Sequence, residues 1–330
     1  MTIVRALTLV AIALTSVAAG AQAPTTHTFM PGRFYTTFSG AHPPALRIKP
    51  GDRVVTKTID AGGADWNGKT LAPGPNPQTG PFFIEGAEVG DMLVVSFEKI
   101  EINRTTAYSG GALAPYTVDP SALLARTERQ APRANWLLDK ARGIARLDGT
   151  DLGGIELKLR PMLGCVGVAP ARKEAIVTTT PGAFGGNMDY AGLNAGVKVM
   201  LPVNEPGALL FIGDGHALQG EGEVVGTGLE TSMDVEFTVQ VVKKATIAWP
   251  RLENETHIMV LGSERALIEA LQHATSEMHR WLMADYKLSE RGASLLMGQA
   301  LEYEVANVVD PRFTMVAKIR KSVLAQLAPR

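Results

Sequence analysis

The chain has 330 residues, 45% of them hydrophobic and 20% charged, which is enough to bury a sizeable core and too apolar for a disordered chain. Its 32 Lys and Arg nearly balance its 33 Asp and Glu, so at a formal net charge of -1 no overall field recommends nucleic acid or an anionic membrane as a partner. The lone cysteine, Cys165, excludes an intrachain disulfide framework and any multi-thiolate metal site, leaving His and carboxylates for metal chemistry.

At the N-terminus Arg5 precedes an apolar run from Ala6 to Leu14, followed by small residues ending Ala19-Gly20-Ala21-Gln22-Ala23, the pattern of a secretory signal peptide. Cleavage is expected after Ala21 or Ala23. Residues 1–23 are therefore set apart from the fold, and residues 24–330 are expected to be exported, to the periplasm in a bacterium. The apolar run is shorter than the roughly 20 residues of a membrane span, so no stable membrane association is expected after cleavage.

Abundant glycine (34) and proline (20) against 6% aromatic residues favour short strands joined by tight turns. Residues 45–48 and 53–59 read as two strands around Pro50-Gly51-Asp52, and residues 82–85 and 92–100 repeat the grammar around Val89-Gly90-Asp91. Between them, residues 60–81 hold five Gly and four Pro and are expected to form an irregular loop. Short helices are expected within residues 122–146, interrupted by Pro132. Strands are expected again at 154–159, 164–168, 196–203 and 208–212. A further strand at 233–242 should carry Val235, Phe237, Val239 and Val241 on one face. Near the C-terminus the spacing predicts a helix capped by Ser263 and running to Tyr286, then a second opened by Ser289. The fold class is thus α+β, a mainly β, sandwich-like body over residues 30–250 with a C-terminal helical portion over 260–305.

Residues able to do chemistry concentrate in the turns. Gly213-Asp214-Gly215-His216-Ala217-Leu218-Gln219-Gly220-Glu221-Gly222-Glu223 packs three carboxylates and an imidazole into one segment, and its glycines let the backbone fold back so that Asp214, His216 and Glu223 converge. Asp and His two apart at a strand end project to one side, a spacing suited to Zn²⁺ or a similar cation. The competing reading is an Asp-Gly turn with solvated acids. Phe184-Gly185-Gly186-Asn187-Met188-Asp189 forms a second cluster with Asn187 and Asp189 on one side. Glu85, at the end of an apolar strand, is a candidate base whose proton affinity burial would raise. His42 is a candidate pocket-lining residue, His273 and Glu277 are expected to form a surface pair on the helix, and Cys165 is read as a buried structural thiol.

These segments, Asn76–Asp91, Gly164–Pro170, Gly185–Asp189 and Gly213–Glu223, resemble the acetamidase/formamidase family in order and spacing. Pro50-Gly51-Asp52 and Thr227-Gly228-Leu229-Glu230-Thr231 extend the resemblance over residues 30–320. It implies a β-sandwich-like body, homo-oligomeric assembly, a bound divalent metal and hydrolysis of short linear amides such as formamide or acetamide to carboxylate and ammonia. On these residues the metal, zinc in the first instance and calcium as the alternative, would be held by Asp189, Asp214 and His216, with Glu85 and Glu223 as proton-transfer groups and His42 and Asn187 contacting substrate. Phe184 stands where many members carry His. The rival expectation is an exported, non-catalytic β-rich binding protein with a structural Ca²⁺ site.

Overall fold

The computed structural model describes residues 23–125 and 131–327, so the signal-peptide expectation falls, but for Ala23, outside the described residues. Two large sheets face each other. In the nine-stranded sheet, Met233–Val242 runs between Arg53–Lys57 and Met92–Ile102, and the far side is completed by Lys198–Pro202, Arg251–Glu253, His257–Glu264, Phe313–Arg320 and Glu302–Asn307. The second sheet, of eleven strands, centres on Leu210–His216, which pairs with Met162–Gly167 on one edge and with both Glu230–Thr231 and Gln78–Ile84 on the other. Neither sheet closes into a barrel.

Alternation in the sequence explains the interface between the sheets. In Met233–Val242, Val235, Phe237 and Val239 are fully buried while Asp234, Glu236 and Thr238 lie on the wetter face. The Phe237 ring meets that of Phe82 from the other sheet, centroids 5.2 Å apart. Each such side chain contributes about 1.5–3 kcal/mol when taken out of water. A second apolar layer covers the outer face of the nine-stranded sheet, where Ala274, Met278, Trp281 and Leu282 of helix Leu267–Asp285 pack on Ile258, Val260, Ala317 and Ile319.

Several expectations are corrected. Ser263 does not cap the first helix; it lies in strand His257–Glu264 with its hydroxyl 3.0 Å from that of Thr314, and Ala266 is the cap position. Ser289 does cap Glu290–Ala300, accepting from the Gly292 N–H. The 260–305 portion is not purely helical, because it opens in strand His257–Glu264 and ends in strand Glu302–Asn307. Trp136, Leu137 and Leu138 sit in strand Ala134–Asp139, and of the expected short helices near them only Pro120–Ala125 is seen among the described residues. The Pro-rich loop ends at Pro77, where strand Gln78–Ile84 begins. Glu277 is fully buried, bound by Arg251 and Arg280, while His273 stacks on Trp249; they are not a surface pair.

Candidate active site

The site lies at the end of the eleven-stranded sheet. Strand Leu210–His216 continues through the Gly213-Asp214-Gly215-His216 segment instead of turning there. Its antiparallel register sets His216 opposite Glu230, and Glu230 opposite Tyr108. Residues directly opposite one another share a sheet face, so these three side chains stand in a row across three strands. On the other edge the register places Gly164 across from Asp214, between the pairs Leu163–Gly215 and Cys165–Gly213. A Cβ at Gly164 would fall 2.2 Å from Asp189 Oδ1 and 2.6 Å from Asp214 Oδ2, so only glycine admits both carboxylates. Gly228 has the same function behind His216, whose ring would be 2.5 Å from any Cβ added there.

Asn76, Asp189, Asp214 and Glu223 all take positive φ, between 44° and 60°, a region that non-glycine residues enter only where their surroundings hold them. This aims four side chains at one point. Asp189, Asp214, Glu223, Glu230 and His216 are buried, and Asp310 reaches the same cleft from the turn between the last two strands. His216 Nε2 lies 3.0 Å from Glu230 Oε1 and 3.4 Å from Asp214 Oδ1. Ligand atoms of Asp214, His216 and Glu230 lie within 4.8 Å of one another, and so do those of Asp189, His216 and Glu223.

The tautomer of His216 follows from its neighbour. The Gln219 amide nitrogen donates to the carbonyls of Asp189 (2.6 Å) and Ala306 (3.2 Å), so its oxygen must be the atom 2.8 Å from His216 Nδ1. An acceptor there requires a proton on Nδ1, which leaves Nε2 as the ring atom facing the two carboxylates. Amides also brace the acids. Gln78 donates to the Asn76 side-chain oxygen (2.6 Å), Asn76 to Asn187 (2.6 Å), and Asn187 to both Asp189 (2.7 Å) and Asp310 (2.8 Å).

Crowding like charges away from water has the expected effect. Burial, then the nearby carboxylates led by Glu223, drives Asp189 well above the usual carboxylate range. Burial likewise raises Glu223, and pushes Glu230 and Asp310 up to about 7. Burial alone would lower His216, but the carboxylates of Glu230 and Asp214 hold its protonated form well above the ordinary histidine range. Asp189 Oδ1 and Glu230 Oε2 are buried without a hydrogen-bond partner, and His216 Nε2 faces only carboxylate oxygens. Buried polar atoms are nearly always paired, so unpaired carboxylate oxygens around a buried imidazole are a donor set suited to a cation.

Of the residues singled out in the sequence, Asp189, Asn187, Asp214, His216 and Glu223 come together. Both Asn187 N–H donors are taken by carboxylates, so it orients acids and is not free to bind substrate as expected. Glu85 is exposed at the far end of strand Gln78–Ile84, and seven residues of strand put it roughly 20 Å from Gln78, out of reach as a base. His42 is also apart. Its Nε2 is 2.7 Å from the Thr37 hydroxyl and its ring packs on Tyr35, centroids 4.1 Å apart. Glu221, counted among the three carboxylates of the segment, is exposed. Cys165 is fully buried, donates to the Thr178 carbonyl, and is raised well above the usual thiol range by burial. The sequence does not by itself single out Glu230, Asp310, Gln219, Asn76 or Gln78; the signal for Glu230 is its place in the Thr227–Thr231 block.

The site opens through a cleft of about 460 Å³ whose walls include Tyr108, Arg133, Thr179 and Thr227. Residues 171–310 match the acetamidase/formamidase family. A crystal structure of an acetamidase from Yersinia enterocolitica is similar at a TM-score of 0.80 and 31% identity, over 94% of this chain and 96% of that one. The chain belongs to the acetamidase/formamidase family. It is thereby an amidase, a hydrolase of carbon–nitrogen bonds. A second acetamidase structure, from Bacillus halodurans, matches at 27% identity and a TM-score of 0.78, over 92% of this amidase and all of that chain. A gamma lactamase from Delftia acidovorans, at 18% identity and a TM-score of 0.57 over 91% of each chain, shares the fold. Over 60 residues the amidase is 43% identical to a Schizosaccharomyces pombe protein assigned as a formamidase, a match that spans 18% of this chain and 15% of that protein.

Proposed function

We propose that this amidase cleaves short linear amides of the formamide and acetamide type to carboxylate and ammonia, and that it does so with a divalent cation, zinc in the first instance, in the periplasm as a homo-oligomer. The observation that carries the cation is the pair of buried ligand sets that share His216, Asp214–His216–Glu230 and Asp189–His216–Glu223, with Asp214, Glu223 and Glu230 lining an open cleft. His216, Asp214 and Glu230 would hold it, with Asp189 close by. When bound, such an ion supplies Lewis acidity toward the carbonyl and lowers the proton affinity of water.

The chain's own residues supply the rest. An amide resists attack because resonance weakens the carbonyl as an electrophile and the amine leaves poorly without a proton. Gln219 fixes the Nδ1 proton and hence the direction of the His216 Nε2 lone pair. The Asn76–Asn187 relay keeps Asp189 and Asp310 in place while leaving Glu223, on the loop side of the cleft, free to accept a proton from the attacking water and deliver it to the departing nitrogen. Leu218 and Leu229, which flank the loop segment, keep its base dry. Export is supported by the signal-peptide pattern alone, and none of the helices among the described residues is long and apolar enough to cross a membrane.

Ammonia release from formamide, acetamide and propionamide, measured before and after chelation and again after adding back zinc or calcium, tests the reading. Turnover should disappear on chelation and return with one metal. A folded protein that hydrolyses none of these amides in any metal would overturn it in favour of the binding-protein alternative. Mass spectrometry of periplasmic protein should find a mature chain beginning at Gln22 or Pro24.

A further inference from the structure

Beside the acidic cleft lies an apolar groove of about 700 Å³, lined by Trp136, Leu147, Leu157, Leu218, Val225 and Leu229. The two adjoin, Arg133 and Thr227 forming part of both walls. The shared wall is braced, with the Gly110 N–H donating to the Thr227 hydroxyl at 2.7 Å. Gly228 also lines the groove; the His216 ring packs against it and the Gly228 N–H donates to Glu230 Oε1 at 3.0 Å, so the groove borders the site directly. The one polar atom of the Trp136 side chain is spent on the Ser109 hydroxyl, 3.0 Å away, which leaves its ring as plain apolar surface. Further out Leu152 stands 47% exposed beside it.

The floor of the cleft offers nothing apolar to an acyl chain, although Ala61, Pro75 and Tyr108 stand on its walls. Its floor is Asp214, Glu223, Glu230 and Asp310, and methylenes laid over them would strip water from carboxylates without giving back a hydrogen bond. The groove has the opposite character: its base is the apolar edge of the core, Trp136, Leu147 and Leu229, and its rim carries the exposed Leu152, a lining suited to an apolar ligand. A carbonyl and amino group held at the acids and an alkyl chain passing Thr227 would match the two halves in order.

Resting on the amidase reading above, we propose that the acyl side of the substrate extends past Arg133 and Thr227 into this groove, so that the amides this chain prefers carry an unbranched apolar acyl group longer than acetyl. Each added methylene buried there is worth about fourfold in affinity.

The test is a series of acetamide, propionamide, butyramide and hexanamide, with kcat/KM from ammonia release and affinity from calorimetry, on the wild-type protein and on Ala112→Trp, which fills the groove away from the acids. The expected result is a rise of about fourfold in kcat/KM per methylene, carried by KM. Ala112→Trp should return hexanamide to the acetamide level and leave acetamide within twofold. The ratio of two substrates on one preparation is insensitive to a misfolded fraction, and Leu152→Arg, at the exposed rim, should lower the same ratio. A flat or falling series, or a variant that lowers every amide equally, overturns the proposal. So does a smaller assembly by light scattering with equal losses on all amides, which would make the groove a seam between subunits. If no amide is turned over, the amidase reading fails by itself; hexanamide binding more tightly than acetamide and losing that advantage in Ala112→Trp would still support the groove, and equal binding would overturn it.

Discussion

Two buried acidic sites in this protein are built on opposite principles. Glu277, on helix Leu267–Asp285, is as buried as a carboxylate can be, yet Arg251 approaches it at 2.6 Å and Arg280 at 2.7 Å, so the charge is matched and then some. At the end of the other sheet Asp189, Asp214, Glu223, Glu230 and Asp310 share one cleft, and among the described residues the only basic side chain in ion-pair contact with any of them is His216. A charge removed from water without a partner is costly, and the usual escape is to take up a proton. Glu230 and Asp310 move that way, each pushed up to about 7. The first arrangement fastens a helix to a sheet. The second remains unbalanced until a cation or protons arrive, which makes it a place for chemistry.

The contrast can be broken most severely at the ligands. Asp214→Asn or His216→Ala should remove bound metal and lower ammonia release by more than about 10³-fold, with circular dichroism showing a folded chain. Glu277→Gln should do the reverse, costing about 3–5 kcal/mol of stability by stranding the Arg251 charge in the interior, while metal content and kcat stay at wild-type levels; denaturant melts and elemental analysis read the two effects separately. Gln219→Ala frees the His216 tautomer and should weaken metal binding about 10–100-fold, measured by competition with a chelating dye.

Proton uptake supplies a smaller effect. A carboxylate whose folded value is raised, as for Glu230 from 4.5 to about 7, keeps a proton in the native state that the unfolded chain has already lost, so its contribution falls as pH rises between those values. His216, raised by the same neighbours, acts in the same direction. Asp91, held down at about 2 first by its hydrogen bond from Lys243, loses its contribution only in far more acid solution and does not interfere. Chelated protein should therefore melt roughly 5 °C lower at pH 8 than at pH 5, and the metal-loaded protein should show a smaller difference. The smallest effect belongs to the two positions outside either site: Glu85→Gln and Cys165→Ser should leave kcat/KM within about twofold.

Much of the body was legible because it obeys period two. The alternation of Val235, Phe237 and Val239 announced a half-buried strand, and the structure buries those residues against the facing sheet. The strands Glu302–Asn307 and Phe313–Arg320 were missed because Glu302 and Glu304 interrupt the apolar pattern of the first; both pair with Lys318 across the ladder, a tertiary arrangement that no local window contains. Ser263 is a good capping residue chosen by the wrong structure, since the register with Thr314 holds it in a strand three residues before the helix cap.

The site was half legible for a related reason. Asp214, His216 and Glu223 crowd one short segment among glycines, and Asn187 and Asp189 crowd another, so density alone drew attention to them. Glu230 and Asp310 are single acids in unremarkable surroundings, brought in by the His216–Glu230 register and by the turn after Asn307. Glu85 had the converse fate: its local setting, a carboxylate after an apolar strand, suited a base, and the direction in which that strand runs carries it away from the acids.

Titrating zinc into chelated, folded protein while following ammonia release bears most directly on the claim that the unbalanced cluster is the catalytic cation site. The account predicts release that rises in proportion to added metal and levels off at about one ion per chain, with no such rise in Asp214→Asn. Full ammonia release by the folded, metal-free protein, or equal binding and activation in Asp214→Asn, would contradict it.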